Sequence, residues 1–204
     1  ASFDTAVPEE YKAKLEEAAK ELLAAKGSLV VCGSNDTNVQ IIVNSINQLL
    51  ANYGNTIDTA TPVYLKQGDD AKVTALVTEM ASGTVDAVIL YGVNPAYTLG
   101  EKFTSALGKV KLKISFADRE DETASLVDYV CPDNHYLESW NDANPKKGQY
   151  SLCQPTIAPL FSTRQAQESL LVCAGSETSY HDYIKANWAA NTGASWNQSL
   201  HDGF

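Results

Sequence analysis

The acidic segment of residues 118–122 holds the side chains whose types most directly suggest chemistry. Four carboxylates stand there in close succession: Asp118, Glu120, Asp121 and Glu122. Hard divalent cations prefer carboxylate oxygens, so a cation site is one interpretation. A solvated acidic loop that caps a helix near Thr123 is the other. We favour the loop, because the run contains no second ligand type.

A second group of reactive side chains follows within twenty residues. Cys131, His135 and Glu138 are possible metal ligands, and Cys131 with His135 is a possible nucleophile and base. Their spacing matches no established motif of either kind, so the sequence assigns no catalytic residue and no metal site. Tyr136 and Trp140 can form a stacking surface. We favour instead an arm held onto the domain by its aromatic side chains.

The four cysteines lie far apart in the sequence. Cys32, Cys131, Cys153 and Cys173 show none of the close pairing that zinc sites and iron–sulfur clusters require. Cys32 and Cys173 each end an apolar run, so we expect both thiols to be buried and inert.

The segment Gly92-Val93-Asn94-Pro95 follows an apolar run and precedes a predicted helix. Glycine lets the backbone approach a ligand, and the proline biases Asn94 toward an extended conformation. Exposed amides at the following helix can then face a phosphate. An ordinary turn from strand to helix is the favoured alternative, because no arginine or lysine lies within residues 92–98.

The composition narrows the class of protein. The chain has 204 residues, with 25 acidic against 15 basic residues and a formal charge of −10. This charge repels nucleic acid and anionic membrane surfaces, and no apolar run is long enough to span a bilayer. We expect a soluble domain without direct membrane insertion. The acidic, alanine-rich opening at Ala1 suggests a processed chain or a fragment.

Hydrophobic periodicity predicts alternating helices and strands. Helices are expected over 8–26, 36–53, 69–82 and 102–107, after Ser162 and after Thr178, with Asp36 and Asp69 as the N-caps of the second and third helices. Strands are expected over 28–32, 63–65, 86–91, 110–116 and 126–130. The strands 28–32 and 86–91 have the continuous apolar character of parallel strands buried on both faces. A turn at 145–148 and an extended piece at 150–153 are expected within an irregular segment.

These elements predict an α/β fold, with an open and mainly parallel sheet and helices on both faces, in the manner of a Rossmann-like or flavodoxin-like three-layer domain. We expect one domain over residues 1–190, an irregular arm over about 133–160, and a tail or linker over 191–204. Ligands gather at the carboxyl ends of parallel strands. That edge is expected to carry four segments: 33–38, 92–97, 118–123 and 132–140.

Taken in order, several short blocks make the chain resemble the molybdopterin oxidoreductase superfamily. They are Val-Val-Cys-Gly at 30–33, the helix end and Tyr-Gly-Asn turn at 47–55, Leu-Tyr-Gly-Val-Asn-Pro at 90–95, Asp-Glu-Thr-Ala at 121–124, Tyr-Val-Cys-Pro at 129–132 and Leu-Glu at 137–138. The blocks His-Tyr-Leu-Glu-Ser-Trp-Asn-Asp at 135–142 and Gln-Pro-Thr-Ile-Ala-Pro-Leu at 154–160 are similar to one branch, the fused molybdopterin-oxidoreductase-like and iron–sulfur subunit of alternative complex III.

The resemblance carries expectations about cofactors. Catalytic members of the superfamily bind a molybdopterin guanine dinucleotide with molybdenum or tungsten, and Gly92, Asn94 and Thr123 correspond to their cofactor-side loops. The Glu-x-x-Gly-Thr block of many catalytic members reads Glu138-Ser-Trp-Asn-Asp142 here. This departure argues against cofactor binding, because an indole replaces small residues. Iron–sulfur clusters are expected elsewhere in the parent polypeptide.

The resemblance also carries expectations about function. We expect a non-catalytic domain of a larger respiratory subunit, a scaffold and docking platform for the other domains and subunits of a membrane-bound electron-transfer complex, on the periplasmic face of the bacterial inner membrane. One alternative is a lobe of an active molybdenum or tungsten oxidoreductase. Another is a free-standing binding domain with a small ligand at Gly92.

Overall fold

The computed structural model describes residues 7–65 and 67–203. The chain divides into two compact units, Ala1–Val63 and Tyr64–Phe204, and each is described by itself. The range of 1–190 as one domain stays a prediction.

Two helices form the frame of the first unit. Helix α1 spans Glu9–Ala24 and follows Pro8, with two acidic residues in its first turn, where they suit the positive end of the helix dipole. Helix α2 spans Thr37–Leu49, and the Asp36 side chain accepts hydrogen bonds from the amides of Asn38 and Val39. Both predicted helices and the predicted cap are confirmed.

The prediction of a strand at 28–32 was wrong. This segment pairs with a side chain and not with a neighbouring strand. The Asn47 amide of α2 pairs with Val30, accepting from its N–H at 3.0 Å and donating to its C=O at 2.8 Å. The Nδ2 of Asn52 donates to the same Asn47 oxygen at 2.9 Å. One side-chain amide can pair with only one residue, so a segment held in this way forms no ladder.

The buried side chains of the first unit are polar. Among its described residues, only Asn47 and Asn52 are buried, whereas Val31 is 79% exposed. Cys32 is exposed as well, which corrects the prediction of a buried thiol. The reason is the same: without a sheet at 28–32, the apolar run has no layer to pack against.

The second unit contains a three-stranded parallel sheet. Strands β1 (Ala87–Leu90), β2 (Leu112–Ser115) and β3 (Tyr129–Val130) lie in the order β1-β2-β3. Ala87 is in register with Leu112, and Ile114 with Tyr129. The α/β prediction is confirmed. No strand forms at 63–65, and β3 is short because Ala124–Leu126 turns as a 3-10 helix.

Three helices lie next to the strands in the chain. Helix α3 (Asp70–Ser82) precedes β1, and α4 (Pro95–Leu99) and α5 (Glu101–Leu107) connect β1 to β2. Apolar side chains of α3 and α5 form one core cluster with β1 and with Val110, which precedes β2: Val77, Met80, Val88, Leu90, Phe103, Ala106, Leu107 and Val110. Within β1, Val88 and Leu90 are buried while Ile89 is 40% exposed. The strand is therefore covered on one face, which corrects the expected burial on both.

The arm after β3 contains a β-hairpin. Strands β4 (Asn141–Lys146) and β5 (Gln149–Cys153) pair antiparallel around a turn with Gly148 at φ 80°. This geometry confirms the predicted turn and extended piece. Helices α6 (Ala166–Cys173) and α7 (Tyr180–Thr192) follow, as expected.

The described part of the last segment contains a helix, and the expectation of a tail or linker at 191–204 stays a prediction. Helix α8 spans Trp196–Asp202, and its buried Ser199 accepts a hydrogen bond of 3.0 Å from the Trp188 indole. No helix in the described parts of the chain is both long and apolar enough to cross a bilayer.

Candidate functional site

A cavity of about 500 Å³ opens at the carboxyl ends of the parallel strands in the second unit. Its walls come from residues 91–94 after β1, 116–121 after β2 and 133–136 after β3. Three of the four predicted edge segments thus meet at one site, as parallel strands dictate. The fourth, residues 33–38, belongs to the first unit.

Two of the three predicted cofactor-side residues, Asn94 and Thr123, are bonded to each other. Thr123 is buried, and its hydroxyl donates to Asn94 Oδ1 at 2.6 Å while it accepts from the Ala96 amide at 2.9 Å. Asn94 Nδ2 in turn donates to Glu122 Oε2 at 2.6 Å. Gly92 and Asn94 line the cavity, and Thr123 braces the loop behind it. Gly92 has φ 64°, a left-handed conformation that glycine adopts without strain.

The acidic segment has partners inside the protein. Asp121 accepts a hydrogen bond from the Ala124 amide at 2.7 Å and so caps the 3-10 turn, as the loop interpretation predicts. Asp118 is paired with Arg119 by two hydrogen bonds of 2.9 and 2.8 Å. The guanidinium holds the pKa of the Asp118 carboxyl below its usual value, chiefly through the hydrogen bond. Within the described residues, no group of three or more metal-ligating side chains forms.

Two charged residues of the cavity were not predicted from the sequence as site residues. Arg119 reaches the cavity from the loop after β2, although the sequence near Gly92 contains no cation. Asp133 accepts from the amides of Asn134 and Ala166, both at 2.8 Å. Burial is the largest influence on Asp133 and raises its pKa; the Asp118 charge acts in the same direction. The one signal for Asp133 in the sequence was its position just after β3.

His135 and Glu138 stabilise a turn in place of binding a metal. Glu138 is buried, and its two oxygens accept from the backbone amides of His135 at 2.9 Å and Leu160 at 3.0 Å. His135 Nδ1 accepts from the Leu137 amide, which completes a capping box around the 3-10 turn at Tyr136–Glu138. Cys131 is exposed and lines a different cavity.

Trp140 belongs to the packing of the arm. Its ring lies 4.6 Å from the His181 ring of α7 and 5.8 Å from the Trp196 ring of α8, measured between centroids. The prediction of an arm held by aromatic contacts is confirmed for Trp140. Tyr136 is exposed, contacts His135 at 4.3 Å, and lines the cavity at the strand ends.

The residues of this cavity do not fit the pyrophosphate of a pterin dinucleotide. Three carboxylates, from Asp118, Asp121 and Asp133, face the cavity together with one guanidinium, which is already bonded to Asp118. The Ala96 amide, at the start of α4, is engaged by Thr123. A polyanion would therefore meet net negative charge.

The fold and the cavity place the chain among α/β proteins with a ligand-type cleft at the strand ends. No protein-family model matches the sequence. The chain is 34% identical over 134 residues to the menaquinone reductase, molybdopterin-binding-like subunit of Nitratidesulfovibrio vulgaris. The match covers 58% of this chain and 19% of that subunit, so the chain spans about a fifth of the relative's length.

Proposed function

We propose that this chain is a non-catalytic molybdopterin-oxidoreductase-like domain of a larger respiratory electron-transfer subunit, where it acts as a scaffold and docking platform. The acidic cavity is the observation that carries the proposal. The cavity lies at the strand ends, where a ligand would bind. Its net negative charge opposes the binding of a dinucleotide, and so does the hydrogen bond that already joins Asn94 to Thr123. The similarity to a molybdopterin-binding-like subunit supports the wider class.

The finer parts of the proposal rest on the resemblance of residues 135–142 and 154–160 to the alternative complex III branch. In that setting the partners are the other domains and subunits of a membrane-bound, quinol-oxidising complex on the periplasmic face. The iron–sulfur clusters would be bound by another part of the parent polypeptide. In the alternative, one lobe of an active enzyme, Gly92, Asn94 and Thr123 would approach the cofactor.

Metal and pterin content of the parent protein, purified from its native membranes, separates these two functions. We expect molybdenum and tungsten well below one atom per subunit by mass spectrometry, and no pterin fluorescence after oxidative extraction. A stoichiometric signal for either metal together with pterin would overturn the non-catalytic assignment.

Docking is tested on two exposed apolar residues, one at the end of the arm and one directly after it. Leu160 and Phe161 are 71% and 78% exposed, so their side chains contribute little to the packing of this chain. We expect the double change Leu160→Ser and Phe161→Ser to reduce the partner subunits that co-purify in the assembled complex. Tyr97→Ser, at a similarly exposed position on α4, is the matched control. Unchanged assembly in the arm variant, or equal loss in the control, would argue against docking through the arm.

A further inference from the structure

The second unit contains another cavity, of about 380 Å³, with two thiols in its wall. Cys131 and Cys173 both line it, and both are exposed. Exposure corrects the expectation of a buried Cys173. They are separated by the whole arm in sequence, so only the fold brings them to one cavity.

The position of each thiol follows from the backbone around it. Cys131 directly follows β3, and its amide donates to the Ser115 carbonyl of β2 at 2.8 Å. Cys173 ends α6, and it shares one face of that helix with Ser169 and Val172, at the spacing of three and four residues that places side chains together. All three residues of this face line the same cavity as Cys131.

Two hydrogen bonds hold the segment leading into α6 against the residues after β3. The Arg164 amide donates to the Pro132 carbonyl at 3.4 Å, and the Ala166 amide donates to Asp133 Oδ1 at 2.8 Å. The neighbours of Cys131 are thus fastened to the helix that carries Cys173. This arrangement keeps the two thiols on walls of one small space.

We propose that Cys131 and Cys173 are a redox-active thiol pair that a small-molecule disulfide oxidises to an intramolecular disulfide. One thiolate attacks the small disulfide, forms a mixed disulfide and releases one small thiol. The second protein thiolate then attacks the protein sulfur of the mixed disulfide and releases the second small thiol. Two protein thiols are oxidised to one disulfide, and one small disulfide is reduced to two thiols.

The bond would close the loop of residues 131–173, which contains the arm with its β4–β5 hairpin. A cross-link of this kind restricts the unfolded chain and raises thermal stability. The redox state of the pair would therefore set how firmly the arm is held to the sheet. This inference does not depend on the electron-transfer role proposed above.

Glutathione disulfide provides the test, with Cys32 and Cys153 as internal controls because neither lines this cavity. After oxidation of the intact chain, we expect loss of two of the four free thiols and a Cys131–Cys173 cross-linked peptide in non-reducing mass spectrometry. The melting temperature should rise by roughly 5–10 °C and return to its starting value on reduction. Cys32→Ser and Cys153→Ser variants should still form the link, and Cys131→Ser and Cys173→Ser variants should not.

The wild-type peptide map decides the matter even if a serine variant folds poorly. A disulfide needs Cα atoms within about 7 Å of each other. Glutathione adducts at Cys131 and Cys173 without a cross-link, a different pair in the cross-linked peptide, or four thiols that remain free would each overturn the proposal.

Discussion

The hydroxyl of Thr123 donates a hydrogen bond of 2.6 Å to Asn94 Oδ1 and joins the loop after β2 to the loop after β1. The Thr123 hydroxyl oxygen also accepts a hydrogen bond from the Ala96 amide, so one buried side chain fixes the turn that enters α4. The strand-end cavity therefore has a preformed wall at Asn94, held by the buried Thr123.

Replacing Thr123 with valine should destabilise the second unit by about 1–3 kcal/mol, because the Ala96 N–H and the Asn94 carbonyl lose their buried partner. Urea unfolding measures the free energy of unfolding. Thr123→Ser keeps the hydroxyl and is the matched control, with a smaller loss expected from the missing methyl group. A larger loss in Thr123→Ser than in Thr123→Val would show that packing of the methyl group outweighs the hydrogen bonds here.

Gly92→Ala should cost about 1–2 kcal/mol in unfolding free energy, because φ is positive there and the left-handed conformation disfavours a Cβ atom. The added methyl group meets no atom within 4 Å, so steric clash does not contribute. Gly92→Asn should cost less, since asparagine tolerates this region better. Gly68→Ala, where φ is not left-handed and space is also open, should not destabilise the protein.

Asp133→Asn should stabilise the protein relative to wild type more at neutral pH than in acid. Burial raises the pKa of Asp133 above 3.8, so the folded state favours the protonated carboxyl. Its stabilising contribution is fully present below pH 3.8 and is lost as the pH rises through the folded-state pKa. The asparagine oxygen can still accept from Asn134 and Ala166. Urea unfolding across this range should show a widening difference between the two proteins; a constant difference contradicts the assignment.

Asn47→Ala should release the extended segment at 28–32, because both backbone groups of Val30 lose their partner in that variant. Hydrogen exchange at the Val30 amide should accelerate by roughly tenfold or more, as a lost bond of about 1.4 kcal/mol implies. Asn44→Ala changes an exposed residue of the same helix and is the control. Protection of Val30 that survives in Asn47→Ala would mean that other contacts hold the segment.

The sequence predicted α1, α2, α3 and β1 well because each has a strong local signal. Asp36 and Asp69 cap α2 and α3 as expected, and Pro95 starts α4. The segment 28–32 misled the prediction, since its apolar character is that of a strand while its actual partner is Asn47, seventeen residues later. The hydrophobic pattern of a short segment does not show whether its backbone will pair with another strand or with a single side chain.

The sequence predicted where the candidate site lies, but it did not predict which charged side chains line the cavity. Strand ends identified Gly92, Asn94 and the loop at 118–121, because parallel topology places them together. Arg119 and Asp133 lie in loops that are far from Gly92 in sequence, so only the fold brings the three residues to one cavity. The bonding of Glu138 to the amides of His135 and Leu160 was equally hidden, because its second partner lies twenty-two residues away.

The strand order β1-β2-β3 follows the order of synthesis. The buried residues of the core cluster lie between Val77 and Val110, and the last strand of the sheet ends at Val130. Short separations in sequence lower the entropic cost of bringing such contacts together. The sheet of the second unit can therefore form without the arm, and the arm would then dock onto a surface that already exists.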